Sequence, residues 1–347
     1  MPAHVAPKKT LPIGVELGSS AAKLVQLKGT SEGVELSAFG AVTIPPILRG
    51  DLSRRLAFLS EQLPIILKSE RFKGRKCIFA LPAENSFVRH VRVRLSDTRS
   101  LESAVRRVAR DELPYPVHDA VLRHIVAGNV HRNGEAWKEV IVVAVPNHTM
   151  DAYLTMTSRA GLEVVGVNVE PIAIVECFTG LFDLTEPADR AVLYLDLGYD
   201  GVQVIIARGQ HLVFARNLLF SNDRAVPDLD KSTAAEISLT PVEENTGGPP
   251  PLTEAQLQEI CEEIEKCLRY YAYTFHAEMV DRLLLTGDRA VDGALCRRLA
   301  QGLNLTAQMG DPLRGLQGAK QMENGRTFPP CPGLAIGVGL SLAGRDM

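Results

Sequence analysis

Apolar and polar residues alternate over the first fifty positions, in short runs separated by glycine and serine. Ile13, Val15 and Leu17 form the first run, and two further runs begin at Lys23 and Val34. Alternation that is broken by small turn residues is the signature of strands joined by hairpins. The chain is therefore predicted to open with a meander of strands.

A helix is predicted over residues 51–70, where leucines recur at helical spacing. Between 86 and 169 the pattern then changes in the order strand, helix, strand, strand, helix, strand. This order is typical of a compact α+β unit, here of about eighty residues. We therefore predict an inserted α+β subdomain at 86–169.

A hydrophobic strand that ends in an acidic residue, leucine and glycine occurs twice in the chain. The first copy carries Glu16 and Gly18, and the second carries Asp196 and Gly198, about 180 residues later. Either turn alone is typical of an ordinary hairpin. Their duplication over this distance indicates two related lobes.

Composition narrows the class of protein. The 347 residues have a formal charge of −3, and the six cysteines are scattered without a CxxC pair. These values indicate no nucleic-acid partner, no disulfide scaffold and no metal-binding cysteine cluster. No signal peptide and no run of about 18 apolar residues is apparent, so we expect a cytoplasmic protein without direct membrane insertion. Residues 221–253 are rich in proline, glycine and acidic residues and predict a polar loop.

The two turns have the chemistry of a phosphate site. An apolar strand that feeds a turn of glycine and serine presents several backbone N–H groups to one point, which forms a nest for an anion. Ser19, Ser20 and Lys23 would add hydroxyl donors and a cation. The carboxylates of Glu16 and Asp196 would hold a hydrated Mg²⁺ between the lobes.

These motifs resemble those of the actin-like ATPases, in the form found in the PilM-type assembly proteins of type IV pili. The resemblance runs from about residue 11 to residue 342, with a gap at 221–253. The segment 14–26 resembles the first phosphate motif, 196–198 the second, 283–288 the adenosine motif and 263–271 the helix that supports the base. In the insert, the matching segments are 100–116, 142–146, 160–162 and 169–171.

The resemblance implies an α/β, actin-like (ribonuclease H-like) two-lobed fold with an inserted α+β subdomain. The first lobe would comprise 11–85, 170–189 and 331–347, the insert 86–169, the second lobe 190–220 and 281–330, and a reduced outer subdomain 221–280. It also implies a site for ATP and Mg²⁺. The expected nucleotide-binding residues are Gly18, Ser19, Ser20, Lys23, Gly198, Tyr199, Lys266, Gly287 and Asp288, with Glu16 and Asp196 at the metal.

Three departures from the family pattern bear on activity. Glu16 replaces an aspartate, and a carboxylate misplaced by about 1 Å can cost on the order of 100-fold in rate. Val202 replaces a threonine or serine, whose hydrogen bond to a charged group would contribute about 1.5–3 kcal/mol. Asp288 replaces a glycine and either repels phosphate, by about 1–4 kcal/mol at 4 Å, or caps the following helix. We predict a degenerate site that binds ATP weakly or not at all, and enzymatic activity stays open.

The resemblance further implies a cytoplasmic adaptor of pilus assembly, held peripherally at the inner membrane through a partner. Proteins of this family bind the N-terminal tail of the membrane protein PilN, in a groove between the first lobe and the insert, and act with further pilus assembly proteins. Candidate groove residues are Arg89, Arg107, Arg110 and Val169. The alternatives are a secretion or division scaffold similar to GspL or FtsA, or an active ATPase or kinase of the actin fold.

Overall fold

The computed structural model describes residues 9–31, 33–94, 100–132, 135–182, 190–220, 251–276, 280, 282–317 and 329–345. The strands are β1 (Thr10–Leu17), β2 (Ala21–Thr30), β3 (Gly33–Thr43), β4 (Lys76–Leu81), β5 (Phe87–Val93), β6 (Ala120–Arg132), β7 (Glu135–Pro146), β8 (Glu163–Val169), β9 (Ala191–Leu197), β10 (Gly201–Arg208), β11 (His211–Leu219), β12 (Arg282–Thr286) and β13 (Thr306–Met309). The helices are α1 (Pro46–Arg49), α2 (Leu52–Ser69), α3 (Leu101–Glu112), α4 (Asn147–Arg159), α5 (Glu170–Leu181), α6 (Glu254–Phe275), α7 (Gly293–Leu303) and α8 (Ala335–Leu342). Residues 221–250 of the predicted polar loop lie outside the described residues.

Two five-stranded sheets share one topology. The first has the order β3-β2-β1-β4-β8, and the second has the order β11-β10-β9-β12-β13. In each sheet the first three strands along the chain are antiparallel, and the other two run parallel to the first strand. Glu16 and Asp196 occupy matching positions near the ends of β1 and β9. The duplicated architecture confirms the internal repeat and the two-lobed α/β fold.

Helices cover both faces of the first sheet. On one face α2 packs with α4, and the leucines from Leu56 to Leu67 form its buried stripe, as the sequence predicted. On the other face α8 crosses β1 and α5 so closely that only glycine fits. A Cβ on Gly14 would lie 2.0 Å from the Gly337 carbonyl oxygen, and a Cβ on Gly339 would lie 1.8 Å from that of Ala173. The core formed by α5 and α8 includes residues of the second sheet and joins the two lobes.

The inserted subdomain is smaller than the predicted range 86–169. It consists of the three-stranded sheet β5-β7-β6 with α3 on one face, and it ends with β7. The following helix α4 packs on α2, and β8 pairs with β4 as the fifth strand of the first sheet. The boundary at 169 was therefore wrong. A strand's local pattern shows its two faces but does not reveal which sheet it joins.

Helix α6 does not belong to a separate outer subdomain, as its assignment to 221–280 implied. It starts in a capping box formed by Thr253 and Gln256. Its apolar stripe, with Ile260, Ile264 and Leu268, lies in the same core as β9, β10 and β12. Among the described residues, α6 is thus a layer of the second lobe.

A buried ionic network fixes the insert to the second lobe. Glu139 of β7 is fully buried, and it accepts hydrogen bonds from Arg92 (2.9 Å) and from Tyr270 of α6. His90 Nδ1 lies 3.5 Å from the same carboxylate, while the N–H of Ala215 on β11 donates to His90 Nε2 at 3.3 Å. Burial would raise the pKa of Glu139, but its contacts with His90, Tyr270 and Arg92 lower it. The insert is therefore bound to the second lobe through a charged carboxylate.

Candidate functional site

The two matching turns face one another across a cleft between the lobes. Each turn follows the first strand of its sheet, so the duplicated topology brings both to one place. The cleft is lined by ten of the residues predicted from the sequence, namely Glu16, Gly18, Ser19, Ser20, Lys23, Asp196, Gly198, Tyr199, Gly287 and Asp288. Val202 also lines it and presents no hydroxyl group there.

Lys23 occupies the centre of this cleft and joins the two lobes. Its Nζ donates to Glu16 Oε1 at 3.1 Å, to Asp288 Oδ1 at 2.7 Å and to the carbonyl oxygen of Gly333 at 3.0 Å. The side chain is only 12% exposed. Burial would lower the pKa of Lys23, but the charges of Glu16 and Asp288 raise it above its ordinary value. The lysine is therefore a charged bridge between β2, β1 and the segment after β12.

Three buried carboxyl groups, those of Glu16, Asp196 and Glu170, line the same cleft as this lysine. Burial raises the pKa of Glu16, and burial together with the charge of Glu16 raises the pKa of Asp196 to about 7. Burial, with the charges of Asp196 and Glu16, raises the pKa of Glu170 well above its ordinary value. The cleft is thus acidic, and its carboxyl groups compete for a single ammonium group.

Glu170 is a cleft residue that the sequence did not identify. It begins α5, and its Oε2 accepts hydrogen bonds from the Ala83 N–H at 3.2 Å and from the Gln203 side chain. The sequence signal was a glutamate before Pro171 at a helix start. That pattern is typical of an ordinary first turn, where acidic residues oppose the helix dipole.

The acceptors of the cleft fit a hydrated cation. Glu16 Oε2 and Gln203 Oε1 are buried and make no hydrogen bond to any described residue. Mg²⁺ commonly binds through one or two carboxylates while it keeps several waters, so Glu16 and Asp196 would hold it. Within the described ranges, no three histidine, cysteine or acidic side chains form a site that could ligate a metal. Any ion would depend on water or on a bound anion for its remaining ligands.

Asp288 accepts a hydrogen bond from Lys23 and does not cap a helix. It follows Gly287, whose φ of 88° places the chain in the left-handed region, and it makes no capping hydrogen bond in the 3₁₀ turn Asp288–Val291. The next helix, α7, is capped instead by Asp292, which accepts from the backbone N–H groups of Ala294 and Leu295. Of the two roles left open for Asp288, the helix cap is therefore wrong.

The second turn is held in place by Arg289, which the sequence also did not identify. Its guanidinium donates to the carbonyl oxygens of Gly198 and Tyr199, at 2.9 Å each. The Gly198 N–H donates to the Gly201 carbonyl at 3.0 Å, so this N–H is used inside the turn. Arg49 of the first lobe stacks over the Tyr199 ring at 4.6 Å. These contacts fix the turn across the cleft.

The remaining predicted residues lie elsewhere. Lys266 is on the exposed face of α6, bonded to Glu263 at 2.6 Å, and it does not line the cleft. Arg107 and Arg110 are exposed on α3, and Arg89 is exposed on the strand face that α3 covers. Val169 is buried at the end of β8 in the first sheet. Val169 therefore belongs to the first sheet, whereas the three arginines belong to the insert.

The comparisons with known proteins agree with this architecture. A family model described as type IV pilus assembly protein PilM matches residues 14–345. A solved structure described as a PilM–PilN type IV pilus biogenesis complex is similar with a TM-score of 0.72 at 21% identity, over 96% of this chain and 98% of that chain. The structure of EutJ from Carboxydothermus hydrogenoformans has a TM-score of 0.47 at 13% identity, over 98% of this chain and 91% of that chain. The cytoplasmic domain of EpsL from Vibrio cholerae has a TM-score of 0.46 at 14% identity, over 96% of this chain and 94% of that chain.

The described helices include none of the length and apolar character that crossing a membrane requires. The family model spans nearly the whole chain, and the two matched sheets carry the architecture of the actin-like fold. This protein therefore belongs to the PilM family of type IV pilus assembly proteins and has the actin-like fold.

Proposed function

We propose that this protein is an adaptor of type IV pilus assembly whose nucleotide cleft is occupied by its own side chains. Its partner would be the N-terminal tail of a PilN-like inner-membrane protein, a proposal supported by the similar structure described as a PilM–PilN complex. The observation that carries the proposal is the triple contact of Lys23 with Glu16, Asp288 and Gly333.

The lysine has no donor left for a phosphate. An ammonium group carries three N–H donors, and each of the three acceptors around Lys23 takes one. A phosphate oxygen would have to displace Asp288 or Glu16 from the lysine. Each displaced carboxylate would then stand beside the incoming anion, and two like charges 4 Å apart repel by about 1–4 kcal/mol.

The size of the cleft leads to the same conclusion. It encloses about 100 Å³, whereas pockets for ligands of nucleotide size usually enclose about 300–1,000 Å³. ATP would therefore require the lobes to separate and the Lys23–Asp288 ion pair to break. Bound Mg²⁺ would neutralise part of the charge of Glu16 and Asp196, but it would not free the lysine.

The variant Asp288→Gly tests this proposal, because it removes the carboxylate and restores the glycine usual in the family. We expect it to bind ATP with Mg²⁺ at least tenfold more tightly than the unmodified chain in a calorimetric titration. The control is Asp119→Gly in the insert, which changes the net charge equally but does not line the cleft. Equal ATP affinity of all three proteins would contradict the proposed role of Asp288.

The insert is the second element of the proposal. Its β6–β7 face packs against α5 and the second sheet, while Arg89, Arg107 and Arg110 lie on the opposite, α3 face. We assign binding of the tail to the junction between the insert and the first lobe. We assign binding of a further assembly protein to the face that carries the three arginines. A peptide of the cognate PilN-like tail should bind the full chain, and the pair Arg107→Glu/Arg110→Glu should leave that binding unchanged. Absence of tail binding would overturn the adaptor assignment.

A further inference from the structure

A cavity of about 380 Å³ lies where the insert and both lobes meet, and it shares no lining residue with the nucleotide cleft. Ile125 of β6 forms the wall on the side of the insert, and Val175 of α5 forms the wall on the side of the first lobe. His211, at the start of β11, contributes from the second lobe, and Leu342 closes the cavity at the end of α8. Apolar side chains make up about half of the lining surface, and the polar remainder includes Glu176 and His211.

One carboxyl group enters this cavity without a partner. Glu176 of α5 lines it, and its Oε2 is buried without a hydrogen bond to any residue that the structure describes. Burial raises the pKa of Glu176 to about 7. A buried polar group that lacks a partner is costly to the fold, and leucine would fill the same position on α5 without that cost. An unpaired acid of this kind is a candidate binding residue.

We propose, on the basis of the function proposed above, that Glu176 binds a lysine or arginine side chain from the tail of the PilN-like partner. The long apolar stem of such a side chain suits the walls formed by Ile125, Leu212 and Leu342, and its charged end suits the carboxylate. Cytoplasmic segments close to a membrane span carry an excess of lysine and arginine. The tail of a membrane protein is therefore a rich source of the required cation.

The assignment predicts a specific dependence on pH. With a pKa of about 7, roughly 0.1 of Glu176 is ionised at pH 6 and roughly 0.9 at pH 8. A cation binds the ionised form, so tail affinity should rise about tenfold over this range. The other charged groups that line the cavity are His211 and Arg345.

Calorimetric titration of the full chain with a synthetic tail peptide at pH 6, 7 and 8 tests the assignment. We expect Glu176→Gln to weaken binding at least tenfold at pH 8 and to remove most of the pH dependence. Glu259→Gln, on an exposed turn of α6, is the matched control and should change neither. His211→Gln should keep the dependence that comes from Glu176.

A second series varies the peptide and measures its binding to the wild-type chain and to Glu176→Gln. Each lysine or arginine of the peptide is replaced in turn by norleucine, and one replacement should weaken binding to the wild-type chain but not to Glu176→Gln. If the wild-type chain and Glu176→Gln bind every peptide equally, the role of Glu176 is refuted while the adaptor function stands. If no peptide binds the wild-type chain at any pH, the adaptor function itself is refuted, and the assignment of Glu176 with it.

Discussion

Removing the ammonium group of Lys23 is the perturbation with the largest expected effect on stability. In Lys23→Met, the side chain keeps most of its apolar stem, but Glu16 and Asp288 lose their shared cation. Breaking a buried ion pair by removing one partner costs about 3–5 kcal/mol. Glu16 is 11% exposed and Asp288 is 38% exposed, so water relieves part of the loss at Asp288. We therefore expect a cost of about 3 kcal/mol at pH 8.

The cost should become smaller as the pH falls. Burial already raises the pKa of Glu16 and that of Asp196, and the loss of Lys23 would raise both further. In the variant, both groups would take up protons at mildly acidic pH and so lose the uncompensated charge. At pH 5 the difference from the wild-type chain should fall below roughly half its value at pH 8.

Lys28→Met is the matched control for this experiment. Lys28 lies on the same strand and pairs with Glu35 at 2.8 Å, but both partners are more exposed, at 23% and 32%. A surface pair of this kind contributes about 0–1 kcal/mol. In thermal unfolding, about 3 kcal/mol corresponds to a loss in Tm of roughly 5–10 °C. Equal losses in the two variants, or a loss in Lys23→Met that does not depend on pH, would refute the reasoning.

Three further predictions concern stability. Gly287→Ala should lower the free energy of unfolding by more than about 2 kcal/mol, because its Cβ would lie 2.6 Å from the Leu197 carbonyl oxygen. The control Gly209→Ala, at a position that also has a positive φ but open space around it, should cost about 1 kcal/mol. Thermal unfolding of the two variants compares these costs. Glu139→Gln should cost about 1.5–3 kcal/mol and loosen the insert, which fluorescence of Trp137, the single tryptophan, reports. Burial raises the pKa of Asp196 from 3.8 to about 7. The stability that the protonated Asp196 contributes is therefore complete below pH 4 and is lost as the pH rises through 7. Between pH 5 and 8, the Tm of the wild-type chain should fall more than the Tm of Asp196→Asn.

The sequence predicted those parts of the fold that repeat or that carry a local period. The two acid-leucine-glycine turns indicated two lobes, and their matched sheets place Glu16 and Asp196 at corresponding strand ends. The leucine spacing of 51–70 likewise predicted α2. Strand pairing was not accessible in this way, because a strand such as β8 has the same pattern whichever sheet it joins.

The same limit applies to the candidate site, where local chemistry was predictable but contacts between residues far apart along the chain were not. Residues within the turns were found because glycine, serine and lysine there have a direct phosphate chemistry. Glu170 and Arg289 act through contacts with Gln203 and with the carbonyl oxygens of the second turn, which lie far away along the chain. Lys266 was misplaced for a related reason. The apolar stripe of α6 faces the second-lobe sheet, and position 266 falls on the opposite side of the helix.

The central claim is that Lys23 and its acidic partners occupy the cleft where a nucleotide would bind. Calorimetric titration of the unmodified full chain with ATP and Mg²⁺, together with a phosphate-release assay, measures this most directly. The contacts of Lys23 predict no saturable binding at micromolar ATP and no turnover. Sub-micromolar, Mg²⁺-dependent binding with turnover would contradict the account.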